Sequence, residues 1–322
     1  MADAPGATRY DTAMTETPTP KPAQPGHPPP MAERRPVTHE RFGRRWSDPY
    51  AWLRDDNWQA VMADPGALRA DVRAYLEAEN AHTQARLETP TADLRERLFQ
   101  EMRGRIKEDD SSVPVIDGPY AYLTRFREGG EYPILARKPA ESAFDPETPD
   151  TVLLDGDALG AGKAYFSFGE IEHSPDHRLV AYAVDEQGSE YYTIRFRDTA
   201  TGEDLPDTIE RTYGDFVWAA DSRTVYWVER DDNSRPAAVH AYTLGAPERS
   251  REIYREPDPG FFVGVDRTQS DRFILIGSGN HTTSEVRVFD ATDLDPQPRL
   301  IAAREDGVEY DVDHWGDRFV IT

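Results

Sequence analysis

Hydrophobic and polar positions alternate along most of this chain, and one polar turn interrupts the alternation at regular intervals. Ser174-Pro175-Asp176-His177-Arg178 leads into Leu179-Val180-Ala181-Tyr182, and Ala220-Asp221-Ser222-Arg223 leads into Thr224-Val225-Tyr226-Trp227. Ser270-Asp271-Arg272 then precedes Phe273-Ile274-Leu275-Ile276, and Gly316-Asp317-Arg318 precedes Phe319-Val320-Ile321. The turn aspartates at 176, 221, 271 and 317 lie 45, 50 and 46 residues apart. A period in the mid-forties, built of short strands, predicts the blades of a β-propeller.

Each period carries further strands. A first strand precedes the turn at 165–171, 216–218, 261–265 and 308–312. A third follows with period-two alternation, as in Val286-Arg287-Val288-Phe289 and Tyr192-Thr193-Ile194-Arg195-Phe196. A weaker fourth strand is expected at 251–254 and 299–302. The aspartate of each turn is expected to accept backbone N–H bonds and close the hairpin, a structural duty and not a catalytic one.

The chain before residue 111 has a different rhythm. Residues 1–36 are rich in Pro, Ala, Thr and Gly and are expected to form a disordered leader, within which Met14 and Met31 offer alternative starts to Met1. Residues 37–110 are expected to form a helical segment. After an aromatic-dense, irregular start, Asp64-Pro65 supplies an N-cap and a first-turn proline for a helix running to about Arg86. Leu68, Val72, Tyr75 and Leu76 share one face of it. Thr89-Pro90 repeats the start signal, and Leu94, Leu98, Met102 and Ile106, widened by Phe99, make a second stripe. The segment is too short to bury both stripes on itself.

The predicted fold is therefore mainly β: an incomplete β-propeller over 111–322 behind the helical segment and leader. Its blades are expected at about 111–163, 164–213, 214–260 and 261–307, with a fifth begun at 308–322.

Composition narrows the function classes. Of 322 residues, 60 are acidic and 37 basic, a net charge of −23. Such a surface disfavours nucleic acid and anionic membranes and favours cations or basic peptides. The absence of cysteine removes disulfides and thiolate metal sites and fits a reducing compartment, so a cytoplasmic location is expected. No apolar run approaches the roughly 20 residues of a membrane-spanning helix, and the first thirty residues hold no secretory h-region.

Candidate chemistry is sparse. His173 and His177 flank a turn at i, i+4, a spacing that outside a helix is not expected to bring both rings together, and no third ligand stands out. Ser278 and His281 are close in sequence, with nothing to orient the imidazole. Asp109-Asp110 and Asp231-Asp232 read as solvated loop charges. Neither a phosphate-cradling Gly-rich loop nor a basic-aromatic stripe is present. The expected site set is thus empty: no catalytic, cofactor-binding or metal-binding residue, and no cofactor.

Several longer strings resemble the prolyl oligopeptidase family. Asp48-Pro49-Tyr50-Ala51-Trp52-Leu53-Arg54-Asp55-Asp56 is similar to its opening, and Arg105-Ile106-Lys107-Glu108-Asp109-Asp110-Ser111-Ser112-Val113-Pro114 suggests the oligopeptidase B branch. Gly118-Pro119-Tyr120-Ala121-Tyr122, Glu131-Tyr132-Pro133-Ile134, 276–285 and 307–312 point the same way, in the expected order from about residue 31 to 322. The resemblance implies a propeller capping an α/β-hydrolase domain on which the N-terminal helices pack. The implied activity is serine-dependent cleavage of short peptides after Lys or Arg, with the propeller restricting access by large substrates. It implies no cofactor.

The family's triad needs a Gly-x-Ser-x-Gly elbow, then Asp, then His. No such pentapeptide occurs here; the nearest string, Gly277-Ser278-Gly279, has no helix pattern after it. The reading is a substrate-gating propeller region lacking the catalytic domain and inactive alone, with a missing or separately encoded hydrolase domain as its partner. A stand-alone propeller interaction module, or one half of a split peptidase, is the alternative.

Overall fold

The computed structural model describes residues 28–322. The chain divides into two compact units, a first ending at Arg105 and a second running Ile106–Thr322.

The first unit opens on a hairpin whose end, residues 46–48, overlaps the stretch expected to be an irregular start. Strands β1 (Val37–Arg41) and β2 (Arg44–Asp48) pair antiparallel. Phe42 and Gly43, both at positive φ, make the two-residue turn that suits the twist of a hairpin. Helices α1 (Trp58–Ala63), α2 (Ala70–Thr83) and α3 (Thr89–Arg103) follow. Asp64 does cap a start, accepting from the Gly66 N–H at 2.8 Å with Pro65 next to it, but that turn is a short 3-10 segment ending before Leu68. Thr89-Pro90 is not a fresh start. Residues 84–88 continue α2 as π-helix directly into α3, and Gln84, Glu88 and Thr89 all keep right-handed helical dihedrals. A π turn spares the backbone the carbonyl clash and lost hydrogen bond that proline imposes on a regular helix.

Part of the expected leader is held in place. The Arg35 N–H donates to the Pro49 carbonyl, and the Trp52 indole donates to the Glu33 carbonyl. The Arg35 guanidinium meets Asp71 at 2.6 Å and lies over the Trp52 ring. An aromatic face and a carboxylate thus order residues whose composition alone predicts disorder. Residues 1–27 of the leader lie outside the described residues. Val72 is buried, whereas Leu94, Leu98, Phe99, Met102 and Ile106 are all exposed.

The second unit is a series of antiparallel blades. The first contains β3 (Val115–Asp117), β4 (Tyr120–Arg125), β5 (Ile134–Pro139) and β6 (Thr151–Asp155). A short helix α4 (Gly156–Gly160) leads on to β7 (Ser167–His173), β8 (Leu179–Asp185), β9 (Tyr192–Asp198) and β10 (Asp204–Trp218). β11 (Thr224–Arg230), β12 (Pro236–Thr243) and β13 (Arg251–Arg255) complete the third blade. The fourth is β14 (Phe262–Arg267), β15 (Phe273–Gly279), β16 (Ser284–Asp290) and β17 (Arg299–Leu300). β18 (Val312–Trp315) and β19 (Arg318–Ile321) begin a fifth. Among the described residues no pairing joins this last hairpin to the first blade.

The second and third blades have no loop between them. β10 is one 15-residue strand whose first half pairs with β9 and whose second half pairs with β11, with Thr212 paired to both Tyr192 and Glu229. Irregular register on either side of Thr212 lets the strand pass from the outside of one blade to the inside of the next.

Burial explains the nearly continuous apolar runs. A strand with a blade on each side buries both of its faces, so both parities must be hydrophobic. Val180, Tyr182 and Val184 of β8 fill the core toward the first blade, and Ala181 and Ala183 fill the core toward the third. β15 divides likewise: Ile274 and Ile276 face the third blade, while Phe273 and Leu275 face the last hairpin.

The repeated turn carries one correction. The residue in the left-handed region is His177, Ser222, Asp271 and Gly316 in the four copies. In the first two copies the preceding aspartate does close the turn: Asp176 accepts from the Arg178 N–H and Asp221 from the Arg223 and Thr224 N–H groups. In the third copy Asp271 itself occupies the left-handed position, and Ser270 takes the closing role by accepting from the Arg272 N–H. The fourth places Gly316 there and leaves Asp317 in solvent. The conformation repeats, and the aspartate that marks it in sequence slips by one residue in the third copy and by two in the fourth.

Candidate functional site

The first strands of successive blades converge on a cleft of about 940 Å³. Along parts of these strands, residues turned to a core alternate with residues that line the cleft. Ile171 of β7 joins the core between the first two blades, while Glu170 and Glu172 line the cleft. In β14, Val263 packs inward, while Gly264, Val265, Asp266 and Arg267 line the cleft. Val312 is buried, while Asp311 and Asp313 face the cleft. With Asp215 and Asp271, seven carboxylates line the cleft among the described residues, together with one guanidinium, that of Arg267.

The charges are only partly compensated. Arg267 hydrogen-bonds Oε1 of Glu172 and meets Asp271 at 3.0 Å. Oε2 of Glu172 is buried without a hydrogen-bond partner. Burial pushes the Glu172 carboxyl up to about 7 against the pull of Arg267. Burial also raises Glu170, with Asp215 and Asp266 adding repulsion, and raises Asp215, with Asp266 adding to it. Carboxylates crowded in this way are stabilised by any cation that can reach them. No such site is expected from the sequence alone; its visible trace is the alternate acids Glu170 and Glu172, and Asp311 and Asp313, with single acids at Asp215 and Asp266.

The residues singled out from sequence fall elsewhere. Ser278 is buried in β15 and its hydroxyl donates to Glu256, while His281 is exposed on the following loop. Asp110 pairs with Lys107, and Asp231 closes its own turn by accepting from the Asn233 and Arg235 N–H groups. His314 is buried, with Nδ1 against the Ser270 hydroxyl. His173 and His177 overturn the expectation drawn from their spacing. The end of β7 and the tight turn after it fold the two rings to a centroid distance of 5.0 Å, and Asp117 lies 3.3 Å from Nε2 of His173.

Residues 29–322 match the family model described as the prolyl oligopeptidase N-terminal beta-propeller domain. The chain belongs to the prolyl oligopeptidase family. It is 38% identical over 307 residues to dipeptidyl aminopeptidase BI of Pseudoxanthomonas mexicana and 32% identical over 298 residues to Protease 2 of Moraxella lacunata. Each alignment takes in 91% of this chain and 41% of the relative. Among solved structures, oligopeptidase B from Leishmania major superposes with a TM-score of 0.81 at 29% identity, over 93% of this chain and 42% of the other. Oligopeptidase B from Trypanosoma brucei gives 0.78 at 29% identity, over 91% and 42%. The chain thus spans about two fifths of the length of these prolyl oligopeptidase relatives, and what it spans is the propeller region. No helix among the described residues is long and apolar enough to cross a membrane.

Proposed function

We propose that this chain is the substrate-gating propeller region of an oligopeptidase B-like serine peptidase and works together with an α/β-hydrolase domain that supplies the nucleophile. The observation that carries this reading is the match to the N-terminal propeller model across 29–322. The exposed stripe of Leu94, Leu98, Phe99 and Met102 supports it, because such a surface suits a large apolar partner. The acidic cleft supports a preference for short peptides bearing Lys or Arg, since it concentrates cations.

The chain alone is expected to leave fluorogenic Arg and Lys peptides uncut. Mixed with the hydrolase domain of an oligopeptidase B, it is expected to give inhibitor-sensitive cleavage of short substrates while sparing folded proteins. Serine-directed turnover by the pure chain, or a hydrolase domain whose substrate range the chain does not change, would refute the proposal. Asp215→Asn with Asp266→Asn removes two cleft charges. The pair is expected to weaken binding of a labelled Arg-rich peptide several-fold at low salt, a difference that shrinks near 0.5 M salt, where the Debye length is only about 4 Å. Equal binding by both proteins at low salt would dissociate the cleft from peptide recognition.

A further inference from the structure

We propose that Asp117, His173 and His177 form a binding site for a divalent transition-metal ion, with Zn²⁺ as the best fit, at the seam between the first two blades. Each residue offers one ligand atom, and the three atoms lie within 4.8 Å of one another. Asp117 ends β3, His173 ends β7, and His177 sits in the turn that follows. The separation of 3.3 Å between Nε2 of His173 and Oδ2 of Asp117 matches the edge of a tetrahedron whose metal–ligand bonds are about 2.0 Å.

The surroundings prepare both imidazoles. Nδ1 of His173 is 3.1 Å from the Ser174 carbonyl, which can only accept. That bond puts the proton on Nδ1 and leaves the Nε2 lone pair toward Asp117. A hydrogen bond from the far ring nitrogen to a carbonyl is the usual support of a metal-bound histidine. Nδ1 of His177 lies 2.9 Å from the Tyr122 hydroxyl, which can accept its proton and free Nε2 in the same way. Tyr122 also stacks on His173, with centroids 4.0 Å apart, and so fixes the ring plane. Gly118 admits the His177 ring: a Cβ there would lie 2.7 Å from Nε2.

Both histidines are half-buried and Asp117 is exposed, so an ion can reach the site and retain a water as a fourth ligand. Two imidazoles and a carboxylate suit zinc better than calcium or magnesium, which take oxygen ligands. A second histidine–acid cluster among the described residues, Glu229, His240 and Glu252, differs in its surroundings. Arg255 bonds Glu229 at 2.6 Å and Glu252 at 2.7 Å, so a cation already stands where a metal would. Near His173, the guanidinium of Arg267 is engaged by Glu172 and Asp271. An ion held by Asp117 on one blade and the two histidines on the next would clip the seam between them.

The test is titration of the metal-free chain with ZnCl₂ by calorimetry, with Co²⁺ absorption in the visible reporting ligand number. One equivalent is expected to bind with a Kd on the order of 10 µM or tighter. A hundredfold excess over Kd is expected to raise the unfolding midpoint by about 5 °C. His173→Gln and Asp117→Asn are each expected to weaken binding at least about tenfold, and His240→Gln to leave it unchanged. If His173→Gln fails to fold by circular dichroism, Asp117→Asn decides, because that side chain is exposed. Absence of binding up to 1 mM (about a hundred times the expected Kd), or equal affinity in Asp117→Asn, would overturn the site.

Discussion

Arg304→Met is expected to destabilise the propeller by about 3 kcal/mol, because it leaves the buried Glu256 without its cation and the buried Glu285 with Arg287 alone. Nη2 of Arg304 contacts Glu256 at 2.7 Å and Glu285 at 2.8 Å. Glu256 is 2% exposed and Glu285 4%. Arg304 also lies 3.9 Å over the Phe261 ring. Burial pushes Glu256 up, but hydrogen bonds from Arg304 and Ser278 outweigh it and hold the group at about 2. Glu285 is held at about 2 by Arg304, against burial and with help from Arg287.

Both carboxylates titrate lower in the folded chain than at their ordinary 4.5. Their stabilisation is therefore complete above pH 4.5 and is lost as pH falls toward about 2. In Arg304→Met both folded-state values move up toward 4.5, because burial is then less opposed, so this acid-induced loss is expected to shrink. Urea unfolding of both proteins at several pH values between 3 and 8 reads the effect. Parallel pH profiles would show that the arginine does not set the acid limb. Glu256→Gln combined with Arg304→Met is expected to recover part of the stability, since Glu256 is then neutral and Glu285 keeps Arg287.

Trp218→Ala is expected to cost about 3–5 kcal/mol, a large part of the 5–15 kcal/mol typical of a domain. Trp218 is fully buried between the second and third blades, edge-on to Phe196 at a centroid distance of 5.7 Å. Its indole N–H donates to the Glu172 carbonyl at 3.2 Å, on the strand that carries the cleft carboxylate. Trp218→Phe keeps most of the volume and gives up the hydrogen bond, so it is expected to cost clearly less than the alanine. A denaturant midpoint that falls equally in both variants would assign the effect to the hydrogen bond and not to packing.

Much of this architecture was legible in the residues because propeller strands are buried on both sides. Leu179–Val184 reads as strand whichever face is considered, and a repeat near 45 residues leaves few other folds. What was hidden depended on events that pattern does not encode. The left-handed turn position holds His, Ser, Asp or Gly, so what repeats there is the conformation and not the aspartate. Thr89-Pro90 carries the local signature of a helix start, yet a π turn absorbs the proline inside a continuous helix. The acidic cleft draws Glu172, Asp215, Asp266 and Asp313 from strands separated by about a blade each, and only their radial placement brings them to one wall. His173, His177 and Asp117 were separated for the same reason: the third member comes from the neighbouring blade.

The unbroken strand β10 makes the seams of the propeller mechanically unequal. Sliding the second blade off the third would require backbone bonds on both sides of Thr212 to yield along with the side-chain core. The first blade meets the second, and the third meets the fourth, without a strand held in common. Any breathing that widens a passage between blades is thus channelled away from the β10 junction. Amides of β9 and β11 next to Thr212 should accordingly be among the slowest in the molecule to exchange with deuterium.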